Sequence, residues 1–172
     1  MVLTQRQILG LVGIFSIAMA ALCCAQEPNL YTWMMVNGYH GVEVSVSVFP
    51  PGRYRISVLA RFTVQHNSCG FYYVLRFENP VSFCALRELI DGRAPVGSTT
   101  YFSAAYDFGL YMNSIADLGY TLGGIFFTQE HLNFNKRQHA KIIQIGYNTW
   151  IIGWEDYLDF DYNDLIVLLQ RM

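Results

Sequence analysis

This sequence predicts an all-β fold, an antiparallel β-sandwich of jelly-roll type, and three observations carry the prediction. Apolar and polar residues alternate at period two, turn-forming pairs recur at short and near-regular intervals, and helical periodicity is almost missing. Val42, Val44, Val46 and Val48 share one face of an expected strand that runs to Phe49, with Glu43, Ser45 and Ser47 opposite. Pro50-Pro51-Gly52 interrupts it, and Tyr54, Ile56 and Val58 restart the alternation, which predicts a hairpin or tight strand connection. Further strands are expected over Tyr31 to Val36, Phe71 to Phe77, Ala105 to Met112, Tyr120 to Thr128, His139 to Ile145, Thr149 to Trp154 and Leu165 to Leu169. Asn79-Pro80, Asp91-Gly92, Gly123-Gly124 and Asn133 to Asn135 supply the turns between them, and only Phe83 to Ile90 suggests a short helix. In the strand at Thr149 both faces are largely apolar, Trp150, Ile152 and Trp154 on one and Thr149, Ile151 and Gly153 on the other. Such a strand should lie inside its sheet with its tryptophans buried.

The first 25 residues do not fit that pattern. Arg6 is followed by an apolar stretch from Ile8 to Leu22, then Cys23-Cys24-Ala25 before Gln26. This is the order of a cleavable export signal, with Cys23 and Ala25 as the small residues before the cut. The run is shorter than the roughly 20 apolar residues of a spanning helix. Residues 26–172 are then expected to form one domain, secreted or held at the cell surface, with no stable membrane insertion after cleavage. The chain of 172 residues has a net charge of −2 and no basic patch beyond Lys136-Arg137, which argues against a nucleic-acid partner. Aromatic residues make up 16% and charged residues only 14%, the balance of a packed core and not of a disordered chain.

Two cysteines remain after processing, Cys69 and Cys84. In an oxidising compartment a disulfide between them would close a short loop, worth about 3 kcal/mol in the chain-entropy model. Two buried thiols are the alternative, and no CxxC spacing points to redox chemistry.

The segment with chemistry in it runs Gly153-Trp154-Glu155-Asp156-Tyr157-Leu158-Asp159-Phe160-Asp161-Tyr162-Asn163-Asp164. Five of the 13 carboxylate residues fall within it, and no Lys or Arg lies between Lys141 and Arg171 to neutralise them. Such crowding is repulsive unless the groups are solvated or a cation sits among them. Ca²⁺, which takes six to eight hard oxygen ligands in a flexible shell, suits the composition. Asp159, Asp161 and Asn163 alternate as in the opening of an EF-hand loop. That loop's glycine and closing glutamate are replaced by Asp164 and Gln170, so this is not an EF-hand. A solvated acidic turn is the competing reading.

The ending GWED…DFDYND followed by an apolar strand resembles a family of bacterial secreted domains of unknown function, found in PEP-CTERM-sorted cell-surface proteins and large adhesins. Its members close with G-(F/W)-E-D, a short glycine-rich loop, D-x-D-Y-N-D and a final strand. Upstream, Leu132-Asn133-Phe134-Asn135 followed by His139 is similar to that family's L-N-x-(D/N)-G-x-x-H element, with Lys136 in place of the glycine. The resemblance covers roughly the last forty residues. It implies a β-sandwich module with Glu155, Asp156, Asp159, Asp161, Asn163 and Asp164 as calcium ligands or their immediate supports. Here the glycine-rich stretch is reduced to Tyr157-Leu158.

No nucleophile elbow, P-loop or HExxH occurs, and no set of nitrogen and sulfur ligands is spaced for zinc, so an enzyme is not expected. His139 begins an apolar strand and reads as a hydrogen-bonding core or turn histidine. Trp33, Trp150 and Trp154 suit a sugar-stacking surface but suit a sandwich core better. The expected function is a non-enzymatic, calcium-stabilised module for surface attachment, its partner a glycan or a protein surface. The alternative is a carbohydrate-binding or carbohydrate-acting protein in which calcium holds a sugar hydroxyl.

Overall fold

Strands that are apolar at every second position must cover that face, and here two antiparallel sheets cover each other. The computed structural model describes residues 27–63, 65–74, 85–115, 124–156 and 159–172. The expected export signal lies outside them, as do Cys84 and parts of the expected strands at Phe71 and Tyr120. The described strands are β1 (Val42–Glu43), β2 (Gly52–Arg61), β3 (His66–Tyr73), β4 (Arg87–Ile90), β5 (Thr99–Ala104), β6 (Phe108–Ile115), β7 (Ile125–Phe127), β8 (Ala140–Gly146), β9 (Thr149–Trp154) and β10 (Leu165–Arg171). One sheet has the order β1-β8-β9-β10-β2-β5 and the other β4-β3-β6-β7, with every pairing antiparallel. The protein is an all-β sandwich, as its alternation predicts.

Between the sheets lies the main core. Across β9 and β10 the inward pairs are Trp154 with Leu165, Ile152 with Val167 and Trp150 with Leu169. Tyr54, Ile56 and Val58 of β2 continue the layer, and Phe49, Phe71, Phe102 and Phe108 fill one end with rings packed edge-on and stacked. The opposite face of the larger sheet is covered as well. Ile143, Ile151 and Ile166 point away from the sandwich and pack under a helix, α1 (Leu30–Val36), which supplies Leu30, Trp33 and Met34. A bulge in β2 opposite Ile166/Val167 reverses its parity, so Ala60 joins this outer layer and not the inner one. Strand β9 is therefore central and buried on both sides, which accounts for its lack of alternation.

Three expectations are corrected. Tyr31 to Val36 is helical, not a strand. Its apolar run satisfies both periods, but Asn29 caps it by accepting from the Thr32 N–H at 2.9 Å, and the buried residues Leu30, Trp33 and Met34 fall at i, i+3 and i+4. In the segment expected to be helical, Arg87–Ile90 is strand β4, paired with β3, because Ile90 finds its partner across the sheet at Cys69. The stretch from Val42 to Phe49 is a strand only at Val42–Glu43, and Val42 and Val46 are 71% and 40% exposed. It does not form a hairpin with β2. Instead it crosses from one sheet to the other, leaving β8 at the Val44 N–H to Ile142 O bond and reaching β6 through paired bonds between Phe49 and Phe108. Period-two patterning was present, but with no ladder beyond Glu43 only Val44 of its valines packs against the inner core, and Val42 and Val46 stay exposed.

Cys69 carries a free thiol in the inner core, so the disulfide weighed with Cys84 is not formed. Burial pushes that thiol up to about 12, leaving almost no thiolate at neutral pH. Native protein treated with iodoacetamide at pH 8 should stay unmodified at Cys69 and become modified there on unfolding; peptide mapping checks this. Gly153 is the second test point. A Cβ there would sit 2.5 Å from Tyr162 O and 2.7 Å from Leu30 Cδ2, so Gly153→Ala should cost about 1–3 kcal/mol in urea unfolding.

Candidate metal centre

The acidic segment begins where β9 runs out. The Glu155 N–H donates to His139 O at 3.0 Å, extending the β8–β9 ladder by one residue. Alternation then turns Glu155 and Asp156 to opposite sides. Both are buried, yet their surroundings differ. Asp156 faces the smaller sheet, where its Oδ2 accepts from Asn67 Nδ2 at 2.8 Å, Thr63 Oγ1 at 3.1 Å and Ser114 Oγ at 3.5 Å. Glu155 faces the loop that enters β10, and its Oε2 accepts from the Tyr162 N–H at 3.4 Å.

That loop is bent by two residues with left-handed backbones, Phe160 at φ 58° and Tyr162 at φ 56°. Each costs roughly 1–2 kcal/mol for an L-residue with a large side chain, so the conformation persists only because its surroundings enforce it. The restraints are visible. The Leu30 N–H donates to Asp161 O at 2.8 Å, and Asn163 Nδ2 donates to Pro28 O at 2.8 Å and to Asp161 Oδ2 at 2.7 Å. The Asn163 N–H also donates to Asp161 Oδ1 at 3.2 Å. Helix α1 is thus tied to the acidic loop through main chain and side chain together.

The result brings Glu155, Asp159 and Asp161 together, with one carboxylate oxygen from each lying within 4.8 Å of the others. Glu155 is buried, Asp161 half-buried and Asp159 exposed. Ca²⁺ bonds oxygen at about 2.3–2.6 Å, so two of its ligands stand at most about 5 Å apart. The three carboxylates, with one oxygen from each within 4.8 Å of the others, fall inside that limit. An all-oxygen donor set with one open side fits a hard cation. A groove of about 650 Å³ adjoins the cluster, lined by Glu27, Asn29, Thr32 and Phe160, the last 44% exposed.

The other three residues of the expected set, ligands or supports, are not among the three whose oxygens converge. Asp156 is spent on the donors of the smaller sheet, Asn163 is buried and bridges Asp161 to Pro28, and Asp164 Oδ2 accepts from the Asp156 N–H at 2.6 Å. Sequence reading missed Asn67 and Thr63, which hold Asp156 from a distant strand end, and the Pro28–Leu30 segment, which holds the loop. An Asn ahead of an apolar run is the N-cap signal that would have pointed to the latter. The upstream element meets the acidic one directly. His139 Nδ1–H donates to Glu155 O at 2.9 Å, its Nε2 accepts from Asn135 Nδ2 at 3.0 Å, and its ring stacks on Phe126 at 4.2 Å. Burial lowers its pKa, aided by Arg137 and opposed by the Glu155 bond, so it acts as the neutral core histidine expected of it.

Negative charge dominates the electrostatics. Burial raises the pKa of Asp161, with Asp159 and Glu27 adding to the rise against the Asn163 hydrogen bonds. Asp164 is pushed up to about 8, first by burial and then by Asp156, Glu155 and Asp161, against the Asp156 N–H.

No family model matches the chain, and no curated protein matches it. Among solved structures it is similar to the C-terminal domain of the BC2L-C lectin from Burkholderia cenocepacia, at 14% identity and a TM-score of 0.41, over 78% of this chain and 97% of that one.

A carboxyl whose pKa is higher folded than unfolded binds its proton more tightly in the native state. It therefore favours folding at low pH and loses that contribution as pH rises. For Asp164 the window runs from its unfolded value of 3.8 to about 8. In chelator, unfolding free energy should fall from pH 5 to pH 8, and Asp164→Asn should flatten the slope; urea titrations at three pH values check it.

Proposed function

We propose that this is a secreted, non-enzymatic β-sandwich module in which Glu155, Asp159 and Asp161 hold a Ca²⁺ ion, and that it serves attachment to a surface partner. The observation that carries the reading is the convergence of three carboxylate oxygens within 4.8 Å, one of them on a fully buried side chain. When bound, the ion supplies positive charge among the three carboxylates. Glu155 would anchor it to the end of β9, and Asp159 and Asp161 to the loop entering β10. Asp161, already bonded to Leu30 and Asn163, would pass that restraint to α1. The role is structural: the carboxylates fix how β9, β10 and the helix meet.

Kinship with the cell-surface and adhesin domains that share the GWED…DFDYND ending belongs to the same proposal. It is supported by contact between the two motif elements at His139 and Glu155. Lys136, standing where that family has glycine, adopts φ 53°, the conformation glycine takes at least cost. Export rests on the signal-like order of residues 1–25.

Thermal unfolding in chelator, in millimolar Ca²⁺ and in Mg²⁺ tests the reading. Ligand at 100 times its dissociation constant stabilises by about 2.7 kcal/mol, and a domain of this size gains roughly 2–4 °C per kcal/mol. A calcium-specific rise of several degrees is expected. Asp159→Ala, at an exposed side chain, should abolish the rise and leave the midpoint in chelator unchanged. Equal effects in both buffers, or no rise in the wild type, would refute it.

A further inference from the structure

A second groove, of about 840 Å³, opens where the chain crosses between the sheets. One wall is the extended segment from Glu43 to Ser47; the other is the turn after β7 together with Gln138 and the start of β8. The buried residues Ala140 and Ile142 form its floor.

Both walls are held in place from within the protein. Val44 N–H to Ile142 O at 2.9 Å closes one end, and Thr128 Oγ1 donating to Ser47 O at 2.8 Å pins the other. The opposite wall is braced by Asn133, which accepts from the Phe127 N–H at 2.7 Å and donates to Phe127 O at 3.2 Å and Arg137 O at 2.7 Å. A groove with fixed walls loses little conformational freedom when something enters it.

Its hydrogen-bonding groups are mostly neutral and unspent. Among the described residues the side chains of Ser45, Ser47 and Gln138 have no partner, and Gln129, whose Oε1 accepts from Tyr72, keeps its amide N–H groups. The charged groups are few and partly engaged. Lys136 Nζ donates to His131 O, Glu43 accepts from Tyr31 Oη, and Glu130 is the other carboxylate. Two carboxylates against one ammonium do not suit a polyanion, and the single Lys136 gives an acidic peptide little to pair with. Hydroxyls and amides over a small apolar floor match a neutral chain of hydroxyl groups with apolar ring faces.

We infer that this groove binds a neutral oligosaccharide, a segment of a surface or matrix glycan, without using the cation site. The inference rests on the reading of the protein as an attachment module and not on its metal. The ligand's hydroxyls would exchange hydrogen bonds with Ser45, Ser47, Gln129 and Gln138 while one ring face rests on Val46, which lines the groove and is 40% exposed.

The test is an array of neutral gluco-, manno-, galacto- and xylo-oligosaccharides probed with the full chain, followed by titration of each hit. Wild-type protein should bind at least one class equally in calcium and in chelator. The double substitution Ser45→Ala and Gln138→Ala, both at exposed side chains, should weaken that binding at least tenfold without changing the thermal midpoint, and Asp159→Ala should leave affinity in chelator intact. Three results overturn the inference: no neutral glycan binds, the double variant binds like wild type, or binding needs calcium and is lost with Asp159. The last would place a sugar at the metal groove instead. The calcium-induced thermal shift is read separately, so failure here leaves the metal reading standing, and the reverse also holds.

Discussion

Burial of β9 on both faces is the constraint from which most of this architecture follows. An interior strand with Trp150, Ile152 and Trp154 on one side and Ile151 on the other needs two covers. The smaller sheet provides one. The other has to come from outside the sandwich, and α1 provides it by laying Leu30, Trp33 and Met34 on Ile143, Ile151 and Ile166. Gly153 lets this happen, since its missing side chain is where the Tyr162 carbonyl and Leu30 approach the strand. The acidic loop is thus pressed between the end of β9 and the helix start, and its geometry belongs to that packing.

This explains how a repulsive cluster can sit against a hydrophobic core. The burial that covers β9 removes water from Glu155 and partly from Asp161 and Asp164, and it brings them close to Asp156 and Asp159. Backbone donors offset part of the cost: the Tyr162 N–H for Glu155, the Asn163 N–H for Asp161 and the Asp156 N–H for Asp164. They do not remove it, as the raised pKa values of Asp161 and Asp164 attest. A hard cation among Glu155, Asp159 and Asp161 would turn the repulsion into coordination, and the left-handed residues Phe160 and Tyr162 would then be held by the ion as well as by the helix.

The crossing segment from Glu43 to Phe49 shows the same economy of elements. Because it serves both sheets, it pairs fully with neither, and the groove beside it is the space left by that divergence. The hydroxyls of its serines have no side-chain partner among the described residues.

The strands of the core were legible because period-two patterning reports burial on one face and an unbroken apolar run reports burial on two, as in β2, β9 and β10. The acidic segment was legible as a candidate site because charge crowding is a local property of sequence. What lay beyond local reading was the outcome of competition between distant elements. Tyr31 to Val36 fits either periodicity, and the outer face of a sheet drawn from Ile143, Ile151 and Ile166 decided for the helix. Val42 to Val48 alternates well, but its chain leaves the sheet after Glu43, so only Val44 packs on the core while Val42 and Val46 stay exposed. Among six adjacent oxygen donors, the alternation at Glu155 and Asp156 sent one toward Asn67, Thr63 and Ser114 and the other toward the loop, and Pro28 and Leu30 claimed Asn163 and the Asp161 carbonyl. Sequence alone determined that this is a β-sandwich with an anionic loop before its last strand; tertiary structure decided which three carboxylates meet, because that depends on partners up to 135 residues away.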